Sequence, residues 1–237
     1  MRRAAAALVL AAACGRTTTA PDAPPPAEQV AVPAGPFLMG CSGDAGPCGH
    51  DVAPAHEVRV DGFWIDQTEV TVAAHDACVR AGACARRAYH PAGIDDRPDF
   101  PATGVTWDEA VRYCAWVGKR LPHEAEWEKA ARGTDGRLYP WGSEPPSCAL
   151  AVATDCERAS PSGLAPVGSR VRGASPYGAL DMAGNAAEWV EERRDQGMRV
   201  VRGGQRAPDE LATTFRGGWW PDKTRSDLGF RCARDQR

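Results

Sequence analysis

The chain has 237 residues, of which 43% are hydrophobic and 25% are charged, so it is long enough to bury one sizeable core. Its net charge is −3 with both signs interspersed, and no basic patch indicates a nucleic-acid partner. The 25 glycines and 20 prolines predict many turns and little regular structure.

The first residues are typical of an export signal. Met1-Arg2-Arg3 is positively charged, and the apolar run that follows, 4–13, is too short to cross a bilayer as a stable anchor. Small residues before Cys14 resemble a bacterial lipoprotein cleavage site. We therefore predict a lipoprotein signal peptide over residues 1–14 with lipidation of Cys14, and thus a periplasmic or outer-membrane-attached protein. The alternative is plain secretion.

Residues 15–30 are rich in Pro, Thr and Ala and predict a semi-stiff tether between membrane and domain. Residues 31–237 then form a single domain. Within it, short alternating runs predict strands at 57–60, 63–65, 199–202 and 228–232.

Cysteine usage supports export. Apart from Cys14, eight cysteines remain, an even number that allows 105 pairings. The spacing suggests three local disulfides. Zinc binding is the competing interpretation, but the chain has no Cys-x-x-Cys motif and its histidines are scattered. The three close pairs are Cys41 with Cys48, Cys78 with Cys84, and Cys148 with Cys156.

Two helices can be predicted from capping signals and apolar spacing. Thr106 with Glu109 three residues later forms a capping box, and this helix ends at Gly118. A second helix runs over 124–132 and is stopped by Gly133.

Several ordered motifs resemble one known family. These are 120–133 (RLPHEAEWEKAARG), Trp141-Gly142, 181–189 (DMAGNAAEW), 202–204 (RGG) and 229–232 (GFRC). Together they resemble the formylglycine-generating enzyme family, also called sulfatase-modifying factors, over residues 32–234. The resemblance implies an α+β fold, a loop-rich variant of the C-type lectin fold with short strands, few helices and disulfides. It also implies a disulfide between Cys114 and Cys232.

The resemblance further implies a calcium site at Asp181, Gly184, Ala186 and Glu188. Calcium prefers six to eight oxygen ligands, which two carboxylates and the backbone of a tight turn can supply. The alternative is a turn capped by Asp181, with Glu188 in a buried salt bridge. For a second family calcium site we find no matching ligands, and we expect a disulfide in 148–156 to replace that metal.

The oxidase centre of the family holds copper(I) with two thiolates, which are soft ligands suited to that ion. Those cysteines lie four and nine residues after the second Gly of the Arg-Gly-Gly motif. In this chain these positions are Pro208 and Thr213, neither of which can bind copper. We therefore predict no copper cofactor. An iron-dependent relative needs a histidine–histidine–glutamate site, and the five histidines here show no such motif.

These observations favour a non-catalytic binding or accessory domain at the cell envelope. Its predicted partner is a protein, peptide or glycan, with the membrane reached through the lipid anchor. The predicted binding surface comprises Gln205, Arg206, Trp219 and Trp220, since aromatic residues with arginine are favoured at recognition surfaces. The alternative for the two tryptophans is that one lies in the core. The alternative function is a divergent formylglycine-generating oxidase or a related modifying enzyme.

Overall fold

The computed structural model describes residues 27–41, 54–88, 96–153, 156, 163–204 and 208–236. In these ranges nine short strands and three helices are joined by long loops. Residues 1–26, and with them Cys14, lie outside the described ranges. The strands are β1 (Gln29–Val32), β2 (Gly35–Met39), β3 (His56–Val60), β4 (Phe63–Asp66), β5 (Ala187–Arg193), β6 (Arg199–Arg202), β7 (Gly217–Trp219), β8 (Leu228–Phe230) and β9 (Ala233–Asp235); the helices are α1 (Val72–Arg80), α2 (Trp107–Trp116) and α3 (Glu124–Arg132).

The strands form three small sheets. β1, β4 and β9 make an antiparallel sheet with β4 in the centre, and β2 pairs with β3 in a hairpin. The third sheet has the order β7-β6-β5-β8, in which β5 and β8 are parallel. No helix in the described ranges is both long enough and apolar enough to cross a bilayer.

The two predicted helices are present. The Thr106 hydroxyl accepts a hydrogen bond from the Glu109 backbone N–H, and the Glu109 carboxylate accepts one from Thr106 N–H at 2.7 Å, which completes the capping box. The bounds of α3 agree with the predicted 124–132. α1 was not predicted, because its buried face includes His75 and so interrupts the apolar spacing.

The predicted strands are also present, with two differences. β1, which precedes all of the predicted strands, begins at Gln29, inside the segment 15–30 that was predicted as a tether. The predicted run over 228–232 divides into β8 and β9, which belong to different sheets. β5 was not predicted, because its first four residues are all buried and show no alternation.

The core has two main parts. One packs α1 and α2 against β5 and β8, with Tyr113, Trp189 and Phe230 among its largest members. The other packs α3 against β1 and β4 around Phe63 and Trp127. The two parts meet along β5, where Trp189 belongs to the first part and its neighbour Val190 belongs to the second.

Disulfides cross-link the described part of the chain. The local pairs Cys78–Cys84 and Cys148–Cys156 are formed, and so is the long-range pair that the family resemblance implied. Cys41 is disulfide-bonded as well, while Cys48, its predicted partner, lies outside the described residues. The long-range pair is Cys114–Cys232, which joins α2 to the chain between β8 and β9.

His75 is a buried histidine without a polar partner. It is 1% exposed, its ring stacks on Tyr113 at 5.9 Å, and among the described residues neither ring nitrogen has a hydrogen-bond partner. Burial, together with the nearby Arg87 guanidinium, lowers the pKa of His75 from 6.5 to about 4. The neutral ring is therefore the form that the fold stabilises.

This pKa makes the stability of the domain depend on pH. Above pH 6.5 the ring is neutral in both folded and unfolded chains, so His75 has no effect there. As the pH falls from 6.5 towards 4, the unfolded chain takes up the proton and the folded chain does not. We expect this to cost about 2.5 kcal/mol of unfolding free energy at pH 4.5.

Urea unfolding of His75→Phe at pH 7 and pH 4.5 measures this effect. The variant should lose less unfolding free energy than wild type between the two pH values, by about 2.5 kcal/mol. His56→Gln, which changes an exposed histidine, should behave as wild type. Parallel losses in wild type and His75→Phe would show that His75 is protonated in the folded domain.

Candidate functional site

The turn between Leu180 and β5 has an unusual backbone. Asp181 and Asn185 have φ values of 56° and 54°, and Gly184 between them has φ 83°. A Cβ atom at Gly184 would collide with the Val152 carbonyl oxygen, which accepts a hydrogen bond from Asn185 N–H at 2.9 Å. Backbone strain of this kind is concentrated at functional sites, so this turn is the first candidate.

Glu188, predicted as a calcium ligand, is 0% exposed and lies in a buried salt bridge. Arg231 donates to both carboxylate oxygens at 2.8 Å, from Nε to Oε2 and from Nη2 to Oε1. The indole N–H of Trp127 donates to Oε2 at 2.8 Å. Glu188 is therefore held by Trp127 of α3 and by Arg231, which follows β8. This is the buried salt bridge that the alternative to calcium binding predicted for Glu188.

Glu69 is a second buried carboxylate at this turn, and sequence reasoning missed it. It is 2% exposed, its Oε1 accepts a hydrogen bond from Ala186 N–H at 3.3 Å, and Oε2 has no partner among the described residues. Burial and the neighbouring Asp181 carboxylate raise the pKa of Glu69 well above its usual value. Its position in the sequence, before α1, gave no spacing signal linking it to the turn.

Asp181 faces Glu69 and is 6% exposed. Its Oδ2 accepts a hydrogen bond from Gly168 N–H at 2.5 Å. Burial nonetheless raises the pKa of Asp181. The two side chains interact directly, so both carboxyl groups share one buried site at the strained turn.

The charges at this site do not balance. Glu69, Asp181 and Glu188 carry three negative charges when ionised, whereas two positive charges are near them: Arg231 acts on all three carboxylates and Arg170 acts on Asp181. Two facing carboxylates, one with an unpartnered buried oxygen, are chemically suited to a hard divalent cation. No group of three or more His, Cys, Asp or Glu side chains within the described ranges is arranged to hold a metal ion, so a cation here would also need backbone oxygens.

The positions of the family thiolates have other roles in this chain. Thr213 is 0% exposed; its backbone N–H donates to Leu138 O at 2.8 Å and its hydroxyl donates to Arg137 O at 3.0 Å. Pro208 begins a short 3-10 helix, Pro208–Leu211. Every cysteine in the described part of the chain is disulfide-bonded. No thiolate is therefore present at these positions, and the described cysteines offer none elsewhere.

A buried ionic network connects the arginine of the Arg-Gly-Gly motif, Arg202, to α3. Arg202 donates to Glu124 at 3.1 Å and to Glu128 at 2.8 Å, and it also donates to the Thr213 carbonyl at 2.7 Å. Arg132 pairs with Glu128 at 2.9 Å. The charged residues of α3 thus anchor β6, which explains why a helix with three glutamates, one lysine and one arginine is almost wholly buried.

Of the predicted binding surface, the structure describes Trp219 and Trp220. Trp219 pairs with Arg199 at the start of β6, three residues or about 10 Å from Arg202 and the glycines that follow it. Gln205 and Arg206 lie outside the described residues. Trp219 is partly buried against the core, whereas Trp220 is 48% exposed and meets Trp219 edge-on with 5.5 Å between ring centroids.

Comparison with known proteins identifies the class to which this fold and these motifs belong. The chain belongs to the sulfatase-modifying factor enzyme 1-like domain family, whose model matches residues 15–236. The predicted family and the predicted α+β fold are thereby confirmed. Cys114–Cys232, which the family resemblance implied, is confirmed by the structure.

Three similar proteins illustrate the range of the family. The bovine (Bos taurus) inactive C-alpha-formylglycine-generating enzyme 2 is 39% identical to this chain over 60% of the chain's length. The match spans about half (52%) of the bovine protein. The formylglycine-generating enzyme of Streptomyces coelicolor is 31% identical, over 87% of this chain and 89% of its own length. The solved structure of PvdO from Pseudomonas aeruginosa has a TM-score of 0.77 at 26% identity, covering 89% of this chain and 95% of PvdO.

Proposed function

We propose that this protein is a non-catalytic binding or accessory domain of the formylglycine-generating family, exported to the cell envelope. The observation that carries the proposal is the replacement of both copper thiolates, by Pro208 and by the fully buried Thr213. Copper(I) needs soft ligands, and backbone contacts hold Thr213 within the core. The similarity to a relative named as inactive is consistent with this proposal.

The recognition role rests on the surface at the edge strand β7. Trp220 is an exposed aromatic, and the partly buried Trp219 supports it from below. The Arg225 guanidinium lies 5.4 Å from the centroid of the Trp219 ring. A rigid aromatic with arginine beside it is the usual composition of an interface anchor, which suits a protein, peptide or glycan partner.

The alternative is a divergent formylglycine-generating oxidase, as several relatives carry that name. The test supplies the purified full-length chain with copper(I), oxygen and a cysteine-containing sulfatase peptide. We expect no oxygen consumption and no aldehyde in the peptide, with an active family oxidase as the positive control. Turnover of the peptide by this chain would overturn the non-catalytic proposal.

The proposal also includes a structural calcium ion at the strained turn. Asp181 and Glu69 would supply carboxylate oxygens, and the backbone near Gly184 and Ala186 would complete the coordination. Glu188 would support the site from its salt bridge with Arg231. The ion would neutralise buried negative charge and hold the turn between Leu180 and β5.

Calcium should therefore raise the unfolding free energy by about 2.7 kcal/mol at a hundredfold excess over its Kd. Glu69→Gln should change the unfolding free energy in opposite directions in chelator and in calcium. In chelator it should stabilise the domain, because it removes one of two facing carboxylates. In calcium it should remove most of the stabilisation by the ion.

Thermal unfolding with calcium and with EGTA measures both effects. Asp61→Asn, which changes an exposed carboxylate, should respond to calcium as wild type does. Identical melting temperatures of wild type in calcium and in EGTA would count against the site.

A further inference from the structure

A polar cleft of about 720 Å³ is lined by residues that belong neither to the turn between Leu180 and β5 nor to the Arg-Gly-Gly motif. One wall is the loop after α2, and the other is formed by β4 and β9. Its volume is in the range of sites that hold small organic ligands. The side chains that matter here are Trp64, Lys119, Arg120, Arg234, Asp235 and Gln236.

The cleft is held rigid by contacts in its walls. The backbones of Arg120 and Ala233 exchange two hydrogen bonds, of 2.9 and 2.7 Å, across its floor. Cys114–Cys232 ties the same two segments together covalently. A site with this support does not have to order itself when a ligand binds, which favours affinity.

Arg120 has no hydrogen bond left for a ligand. Its two Nη groups donate to both oxygens of Glu126 at 2.7 Å, to Asp235 and to Leu121 O, and its Nε donates to Asp235 at 3.1 Å. It is therefore part of the wall. Glu126 and Asp235 together outweigh its positive charge.

Arg234 is exposed and has donors to offer, whereas the Lys119 side chain is buried in its ion pair with Asp66. Lys119 Nζ donates to the buried Asp66 at 2.5 Å, and Arg234 Nε donates to Gln29 at 2.8 Å. Within the described ranges, the four Nη protons of Arg234 meet no protein acceptor. A ligand for this cleft must therefore bring oxygen acceptors.

The remaining lining residues indicate what carries those oxygens. Trp64 is half-buried, and the Arg234 guanidinium lies over it with its carbon 5.2 Å from the ring centroid. Gln236 is held in place by donating to Phe63 O at 3.0 Å. An aromatic surface bordered by fixed polar groups suits a ring that has both an apolar face and hydroxyl groups.

We propose that this cleft binds a carboxylate-bearing sugar. The carboxylate would take the two Nη groups of Arg234 in a bidentate pair. The sugar ring would pack beside Trp64, with its hydroxyls towards Asp235 and Gln236. This site is separate from the surface at Trp219 and Trp220, and it needs no catalytic activity.

Calorimetric titration of the full chain with three probes tests the proposal. D-glucuronate has both the ring and the carboxylate, D-glucose has the ring alone, and acetate has the carboxylate alone. We expect glucuronate to bind at least about tenfold more tightly than either of the others, because it alone makes both the charge-assisted pair and the ring contact. Equal affinity for glucuronate and glucose, equal affinity for glucuronate and acetate, or no binding of glucuronate would overturn it.

Two variants assign the binding to the cleft. Arg234→Gln should reduce glucuronate affinity about tenfold and leave that for glucose unchanged. Arg86→Gln, which changes an exposed arginine after α1, is the matched control and should bind glucuronate as wild type does. Arg234 is exposed, so its variant should melt as wild type. Undiminished glucuronate binding by a folded Arg234→Gln variant would place the site elsewhere.

Discussion

Replacing Cys114 and Cys232 together by alanine should destabilise the domain by about 5 kcal/mol. The two cysteines are separated by 118 residues, so their bond restricts a large loop of the unfolded chain. They are also 0% exposed and belong to the core around α2 and β8. Urea unfolding of the double variant, under conditions that keep the other disulfides intact, measures the loss.

The matched control is the double variant of Cys78 and Cys84. This disulfide closes a separation of only 6 residues, for which the same loop-entropy relation gives about 2.4 kcal/mol. The long-range variant should therefore lose about twice as much stability as the short-range one. Equal losses would mean that local packing, rather than chain entropy, determines what these bonds contribute.

Arg231→Met should cost about 3–5 kcal/mol, because it leaves Glu188 charged and buried without its partner. Arg231 and Glu188 are each 0% exposed. Burial alone would lower the pKa of Arg231, but the Glu188 carboxylate beside it raises the pKa above its usual value. Unfolding in chelator isolates the ion pair from any bound calcium.

Lys223→Met is the control for this variant. Lys223 and Asp222 form an ion pair at 3.1 Å with both side chains mostly exposed, so its loss should cost less than about 1 kcal/mol. A loss below 1 kcal/mol for Arg231→Met as well would show that Glu188 finds another partner, or a proton, once the guanidinium is gone.

Sequence motifs predicted the parts of the fold that depend on local signals. The capping box at Thr106 and the stop at Gly133 fixed α2 and α3, since these effects act within one helical turn. α1 and β5 were missed because long-range packing determines them. His75 lies within the buried face of α1, and the first half of β5 is buried on both faces.

The candidate site was predictable only in part, for the same reason. The turn from Asp181 to Glu188 was found from its motif, but its closest acidic neighbour, Glu69, comes more than a hundred residues earlier. The Gly-Phe-Arg-Cys motif contains Arg231, but it did not predict that Arg231 is the partner of Glu188. Pairings across the fold of this kind leave no spacing pattern in the chain.

We predict that this family member holds no copper centre. Titration of the purified full-length chain with copper(I), against a chromophoric copper(I) chelator, tests it most directly. The positive control is an active oxidase of the family, which should withdraw one equivalent of copper from the chelator. For this chain we predict that the chelator keeps all of the copper, since Pro208 and Thr213 offer no thiolate. Withdrawal of one equivalent of copper by this chain would contradict the claim.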